Sequence, residues 1–179
     1  DARDFYTMNN LMTSLTVIDL SNTVVEAYSG TGGTLYGYDE KYLADEIPIS
    51  AFDARVESII LPNSIVGLSS YAVEATKITS ITIPGKVTYI GNNAFKNCSS
   101  LKSVSLPSSL KSIGESAFDN CGLTSVSMPN SVTSVENFAF MDCSDLSSVQ
   151  LSQSLTIINA AVFKKCFALT SIDIQASVK

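Results

Sequence analysis

Hydrophobic positions recur along this chain with a period of 22 or 23 residues. Residues 101–121 read LKSVSLPSSLKSIGESAFDNC, and residues 123–143 repeat the pattern as LTSVSMPNSVTSVENFAFMDC. Repeats of about 20–50 residues indicate a solenoid, because each repeat can bury its apolar face only against its neighbours. The pattern therefore predicts a stack of similar coils that forms one domain over residues 1–179.

The first half of each repeat alternates apolar and polar residues, as a strand with one buried face does. In residues 101–107 we expect Val104 and Leu106 to point inward, whereas Ser103 and Ser105 point outward. Four of the seven units end at Pro, which has no N–H to continue a ladder. We predict about seven short parallel strands, in residues 15–21, 56–62, 78–84, 101–107, 123–129, 146–152 and 169–175.

The second half of each repeat reads Ile-Gly-x-x-Ala-Phe-x-x-Cys, as in residues 90–98 and 113–121. We interpret Gly91 and Gly114 as relief of backbone restriction before a short helical turn. The aromatic residues should stack on the wall opposite the strands and form a hydrophobic spine, made of Phe52, Phe95, Phe118, Phe140 and Phe163 with Val73 as a substitute.

The N-terminal segment differs from the repeats. Phe5, Met8, Met12 and Leu15 recur at spacings of three and four residues, which predicts an amphipathic helix over residues 1–14. A solenoid needs its first core layer covered, so we interpret this helix as an N-terminal cap. A frayed terminus is the alternative.

One insertion breaks the period. The distance from Ser21 to Pro62 is 41 residues, and the excess lies within residues 22–46, which are rich in Gly and Tyr. Insertions in repeat proteins map to loops on one face, which is often the binding face. The repeats themselves occupy residues 15–175.

Composition and charge exclude several classes of function. The net charge of −6 argues against a nucleic-acid partner, which needs clustered Lys and Arg. The chain has no His, the commonest general base and metal ligand, so we expect no enzyme, catalytic residue, metal or cofactor. No apolar run approaches the roughly 20 residues of a membrane span. The chain begins at Asp1 rather than Met, and we expect a processed product from which a targeting signal has been removed.

Four cysteines are spaced 23, 22 and 23 residues apart, at Cys98, Cys121, Cys143 and Cys166. No Cys-x-x-Cys pair occurs, which argues against zinc or redox chemistry. Equal spacing places them in one column, with about 4.8 Å between coils. Parallel Cβ vectors in such a column suit a disulfide poorly, so we predict buried free thiols.

The outward strand positions are the first candidate binding surface. They form a column of hydroxyls, with a parallel column of Thr82, Ser105 and Ser127 between Ile60 on one side and Gln150 and Asp173 on the other. Such a wall could bind a sugar or a peptide, and the alternative is that it only solvates the sheet. No serine is a candidate nucleophile, because no His exists to activate one. The hydroxyl column consists of Ser80, Ser103, Ser125, Ser148 and Ser171, preceded by Ser58.

The insertion is the second candidate, and the one that residue type favours. Tyr offers contact area with a polar tip and is enriched at interfaces and hot spots, whereas Ser is depleted. The carboxylates outnumber Lys41 and suggest a basic partner surface, and their spacing matches no EF-hand calcium loop. A self-packed loop is the alternative. The candidate contact residues are Tyr28, Tyr36, Tyr38, Tyr42, Asp39 and Glu40, next to Asp45 and Glu46.

The consensus Leu-x-x-Val-x-Leu-Pro-x-Ser-Leu-x-x-Ile-Gly-x-x-Ala-Phe-x-x-Cys resembles the BspA-like leucine-rich repeat family of bacterial surface proteins. The resemblance runs from about residue 15 to 175 and is closest over residues 78–166. It implies a right-handed solenoid with a parallel sheet on the concave side and short helical turns on the other. The inserted loop, the Pro lost at Ser152 and Gln175 and the early repeats without Cys depart from it.

The family also implies secreted or cell-surface adhesins that bind extracellular ligands. We therefore expect a non-enzymatic binding or adhesion module of a bacterial surface or secreted protein, with an extracellular protein or glycan as its partner. A structural spacer that carries another module is the alternative. Residues 172–179 match 104–111, so we also expect an unpaired last strand, which self-association or further sequence would cap.

Overall fold

The computed structural model describes residues 12, 14–26, 28–31, 39–42, 44–175 and 178 of the chain. The N-terminal helix predicted over residues 1–14 lies outside the described residues, apart from positions 12 and 14, so this prediction is not tested. No helix occurs among the described residues. They form short strands: β1 (Val17–Asp19), β2 (Tyr28–Thr31), β3 (Asp39–Tyr42), β4 (Glu46–Ile47), β5 (Ser58–Ile60), β6 (Gly67–Leu68), β7 (Ser80–Thr82), β8 (Tyr89–Ile90), β9 (Ser103–Ser105), β10 (Ser112–Ile113), β11 (Ser125–Ser127), β12 (Ser134–Val135) and β13 (Ser148–Gln150).

The three-residue strands β1, β5, β7, β9, β11 and β13 lie along one wall of a parallel solenoid. β1 pairs with β5, β7 with β9 and β11 with β13, each in a register of one coil. Main-chain bonds also join the pairs, because the Lys77 N–H donates to Val56 O at 2.8 Å and the Thr124 N–H to Lys102 O at 3.3 Å. The middle residue of each strand faces the core and the outer two are exposed, as predicted. We call this exposed side the strand face.

Six of the seven predicted strands are therefore present, and the seventh is not assigned. In residues 169–175 the chain continues along the strand face after one bond from the Ala168 N–H to Ser144 O, at 3.1 Å. Among the described coils this unit has a neighbour on one side only. Ile174 is 54 % exposed, so the apolar packing that orders the earlier strands is missing here.

A second sheet, which the sequence analysis did not predict, runs along another wall. Its two-residue strands are parallel and lie in the order β12-β10-β8-β6-β4. Each strand places its second residue in the core, at Ile47, Leu68, Ile90, Ile113 and Val135. Each coil therefore has two strands rather than one.

The short helical turns predicted for the segments after this sheet are wrong. These segments form what we call the turn wall: residues 69–76, 91–98, 114–121, 136–143 and 159–166. In a helix every N–H bonds four residues back along its own chain. Here alternate N–H groups bond along the solenoid axis instead: those of Asn93, Phe95 and Asn97 donate to Glu115 O, Ala117 O and Asp119 O of the next coil, each at 2.8 Å.

Backbone conformation explains why the turn wall cannot be helical. Two non-glycine residues in each of its coils have a positive φ, the left-handed region in which Asn and Asp are tolerated best. A helix of L-residues needs negative φ throughout. The positive-φ residues are Tyr71 and Ala75, Asn93 and Asn97, Ser116 and Asn120, Phe138 and Asp142, and Ala161 and Lys165.

The predicted phenylalanine spine is confirmed. The ring of Phe118 stacks on Phe95 with centroids 5.0 Å apart and on Phe140 at 5.2 Å, and Phe140 stacks on Phe163 at 5.7 Å. The rings of the first three are fully buried, and Val73 takes the same place one coil earlier. Such stacked, buried rings form the centre of the core and fix the register between coils.

The two glycines of the repeat have a different role from the one predicted. Neither Gly91 nor Gly114 has a positive φ, so backbone freedom does not explain them. A Cβ at Gly91 would lie 2.7 Å from the main chain of Ser69 and Ser70, and one at Gly114 would lie 2.7 Å from Asn92 N. Glycine is needed there because the preceding coil approaches closely.

The four cysteines are free and buried, as predicted. Each S–H donates to a carbonyl of the preceding coil: Cys98 to Val73 O, Cys121 to Phe95 O, Cys143 to Phe118 O and Cys166 to Phe140 O, at 3.0 to 3.2 Å. Burial raises the pKa of the Cys121 thiol well above its ordinary value, that of Cys143 to about 12 and that of Cys166 to about 11. The thiols therefore link coils as neutral donors.

Candidate binding surfaces

The predicted serine column lies on the strand face. Ser80 faces Ser103 in the β7–β9 pair, and Ser125 faces Ser148 in the β11–β13 pair. All four are exposed, and so is Ser171 in the seventh unit. The structure therefore brings the predicted serines into one column, at the first position of successive strands.

Three open grooves follow the third strand position instead. The first, of about 370 Å³, lies between β5 and β7, the second, of about 340 Å³, between β9 and β11, and the third, of about 350 Å³, beside β13. Their polar lining comes mainly from the column parallel to the serines. The side chains that line them include Ile60, Thr82, Ser105, Ser127, Gln150 and Asp173.

The grooves change which predicted residues are close to a recess. Of the predicted serine column, Ser80 lines a groove together with its neighbour Ser58, whereas Ser103, Ser125, Ser148 and Ser171 line none of the three. Asn63, Gln153 and Gln175 line grooves and were missed by sequence reasoning. Their signal was their place at or just after the residue that ends each strand unit.

An ion pair crosses one coil at the edge of the strand face. Lys102 Nζ lies 2.9 Å from Asp145 Oδ2, two coils further on. The intervening corner is Gly122, and a Cβ there would lie 3.1 Å from the Lys102 Nζ. The hydrogen bond and charge of Lys102 hold the pKa of Asp145 below its ordinary value. The absent side chain thus leaves room for a charged pair beside the hydroxyl column.

The insertion contains an antiparallel hairpin of β2 and β3. Tyr28 pairs with Tyr42 across the two strands, Gly30 with Glu40 and Thr31 with Asp39. Tyr36 and Tyr38 lie outside the described residues, so their predicted proximity to the other tyrosines is not tested. At the base of the hairpin the Asp45 N–H donates to Val25 O at 2.8 Å, and Val25 is buried in the core. The hairpin is thus anchored at the N-terminal part of the solenoid.

Two searches of the described residues complete the description of the surface. Within them, no three His, Cys, Asp or Glu side chains are grouped so that they could hold a metal ion. Over the same residues, no helix has the length and apolar character needed to cross a membrane.

Repeated parallel coils with a continuous aromatic spine define a leucine-rich repeat solenoid. The BspA type leucine rich repeat region matches residues 43–126 and 67–179, in six copies. The chain therefore belongs to the BspA-type leucine-rich repeat family, as its repeat consensus indicated.

Solved structures of bacterial proteins share the fold. A leucine-rich repeat protein of Bacteroides ovatus is 32% identical over 92% of this chain, with a TM-score of 0.77. One from Eubacterium ventriosum is 26% identical over 92% (TM-score 0.65), and a leucine rich cell surface protein of Faecalibacterium prausnitzii is 26% identical over 92% (TM-score 0.50). This chain covers only 41%, 40% and 48% of those three chains. A comparison with curated proteins gives no match.

Proposed function

We propose that this chain is a non-enzymatic binding or adhesion module of a secreted or cell-surface bacterial protein, and that it recognises an extracellular protein or glycan. Membership of the BspA-type family supports a binding role, and the Faecalibacterium relative is described as a cell surface protein. One fold serves many partners, so the site itself has to carry the proposal.

The observation that carries it is the row of grooves on the strand face. Each groove has a volume at the lower end of the range of about 300–1,000 Å³ found for ligand sites. Hydroxyl, amide and carboxylate groups line them, so they can both donate and accept hydrogen bonds. Because the grooves follow one column of a rigid scaffold, an extended ligand along the solenoid axis would contact all three. We place the main ligand contact here.

The hairpin is the second candidate surface. Sequence reasoning favours it because Tyr is a common interface anchor, and the cross-strand pairing of Tyr28 with Tyr42 adds a defined backbone frame. Its Asp39 and Glu40 would favour a basic patch on a protein partner, with an association rate that falls with salt. The candidate set remains Tyr28, Tyr36, Tyr38, Tyr42, Asp39 and Glu40.

An array of glycans and extracellular-matrix proteins, probed with the intact chain, tests the proposal. A binding module should give at least one saturable signal, whereas a spacer should give none. The double variant Tyr36→Ala/Tyr38→Ala then tests the hairpin, with Thr133→Ala/Thr156→Ala as a control that removes exposed hydroxyls away from both surfaces. A saturable ligand that the hairpin variant alone weakens would move the site to the hairpin. The absence of any saturable ligand would contradict the proposal.

A further inference from the structure

The turn wall has a direction. In four successive interfaces, three alternate N–H groups of one coil donate to three carbonyls of the next coil, at 2.8 to 3.0 Å. The donors are Tyr71, Val73 and Ala75; then Asn93, Phe95 and Asn97; then Ser116, Phe118 and Asn120; then Phe138, Phe140 and Asp142. Every coil therefore accepts on its N-terminal side and donates on its C-terminal side.

The last coil keeps the donor conformation without acceptors. Ala161, Phe163 and Lys165 continue the donor series, with φ of 56° at Ala161 and 61° at Lys165. The turn bonds within the coil are also in place, because the Lys164 N–H donates to Ala161 O at 3.1 Å and the Cys166 N–H to Phe163 O at 3.3 Å. Among the described residues, the N–H groups of Ala161, Phe163 and Lys165 have no acceptor.

The same coil exposes apolar surface. Ile157 is 56 % exposed, Phe167 78 % and Ile174 54 %. Phe163, at the end of the aromatic stack, is only partly buried, whereas Phe140 before it is fully buried. Unpaired backbone donors and uncovered apolar side chains on one end face are both costly and would both be satisfied by a packed partner.

We propose that this end face is a docking surface for one further coil of a BspA-type solenoid, stacked head to tail. The occupant is specified by an interface that the molecule already forms four times: three carbonyls at alternate turn-wall positions and a spine residue over Phe163. The longer solved relatives agree with this occupant, since this chain covers 41% and 40% of two of them.

A symmetric dimer through this face does not fit. Two-fold symmetry places the same patch on both sides of the interface, so the donors of one copy would meet the donors of the other. Buried donors without acceptors are destabilising. The self-association expected from the sequence is therefore narrowed to a head-to-tail contact with a coil that presents carbonyls.

Hydrogen exchange of backbone amides, followed by NMR, tests the proposal with two proteins. The first is the chain as it is, at low and high concentration, and the second carries a duplicate of residues 153–175 inserted after Gln175. We expect the amides of Ala161, Phe163 and Lys165 to exchange freely in the first and to be protected by at least about 100-fold in the second. The amides of Phe138, Phe140 and Asp142 should be protected in both.

A matched control separates packing from added length. In the control insert, the duplicated copies of Val162 and Phe163 are replaced by Asp, so that the coil cannot pack, and the three amides should remain unprotected. Protection in the chain without an insert at low concentration would overturn the proposal. Protection that grows with concentration would assign the face to a second copy instead, and no protection under a folded inserted coil would also contradict it.

Discussion

The turn wall and the strand face are built from the same repeat, but they use their backbone and side chains in opposite ways. In the turn wall, Ala, Phe and Cys point inward, alternate N–H groups and S–H groups reach neighbouring coils, and the backbone tolerates positive φ to do so. On the strand face the ladder uses the main chain alone, and the outward side chains remain exposed. The turn wall thus determines the fold, and the strand face is free to determine the ligand.

The largest expected effect is in the aromatic spine. Phe118→Ala removes a ring stacked on both sides, and we expect a loss of about 3–5 kcal/mol in the free energy of unfolding. Ser125→Ala, on the strand face, should stay within about 0.5 kcal/mol. Chemical denaturation measures both. Equal losses for the two variants would remove the difference between the walls.

A glycine pair sharpens the comparison at the corner between the walls. A Cβ at Gly122 would lie 2.3 Å from Ser99 O, which is main chain and cannot move freely, so Gly122→Ala should cost about 1–3 kcal/mol. Gly85 has nothing within 4 Å of a Cβ, and Gly85→Ala should be neutral or stabilise by up to about 1 kcal/mol. Melting curves of the two variants that moved together would show that close coil contact is not the cause.

Backbone conformation in the turn wall predicts a smaller effect. Asn93 has a φ of 57°, and the β-branched replacement Asn93→Val should cost about 1–2 kcal/mol because Cβ crowds the carbonyl in that region. Asn93→Gly is the matched control and should cost little, since glycine accepts positive φ. If valine were as stable as glycine in denaturant titrations, the turn geometry would be different from the one described.

The thiols predict a pH dependence. Because burial raises the pKa of Cys143 from its ordinary 9.0 to about 12, the unfolded chain loses this proton at a lower pH than the folded chain. Stability is then complete below pH 9 and falls above it, by about 1 kcal/mol for this thiol at pH 10. Cys143→Ser keeps a donor to Phe118 O without ionising, and its stability curve should be flatter above pH 9. Parallel curves for the two proteins would contradict a neutral buried thiol.

The sequence predicted the features that depend on side-chain periodicity. The strand register, the spine from Phe95 to Phe163 and the buried thiol column all follow from which residues repeat every 22 or 23 positions. The second sheet was missed because a two-residue strand such as Ser112–Ile113 is too short to show alternation. The turn wall was misread because the sign of φ has no reliable signal when Tyr71, Phe138 or Lys165 occupies the position.

The candidate site could be predicted only in part, for a related reason. Alternation placed Ser80, Ser103, Ser125, Ser148 and Ser171 on one exposed face, but it gives no information about depth. The grooves form between the third strand position and the turn that follows it, where Asn63 and Gln153 contribute. That depth depends on how closely neighbouring coils stack, which is a property of the packed core and not of the outward residues.

The central claim is that the strand face holds the ligand, and its most direct test is a titration of the first ligand identified on the array. The groove variant Thr82→Ala/Ser105→Ala should raise Kd at least tenfold, a loss of about 1.4 kcal/mol. The control Thr133→Ala/Thr156→Ala should leave Kd unchanged, with both proteins as stable as the parent. An unchanged Kd in the groove variant, together with a tenfold rise in Tyr36→Ala/Tyr38→Ala, would contradict the claim and assign binding to the hairpin.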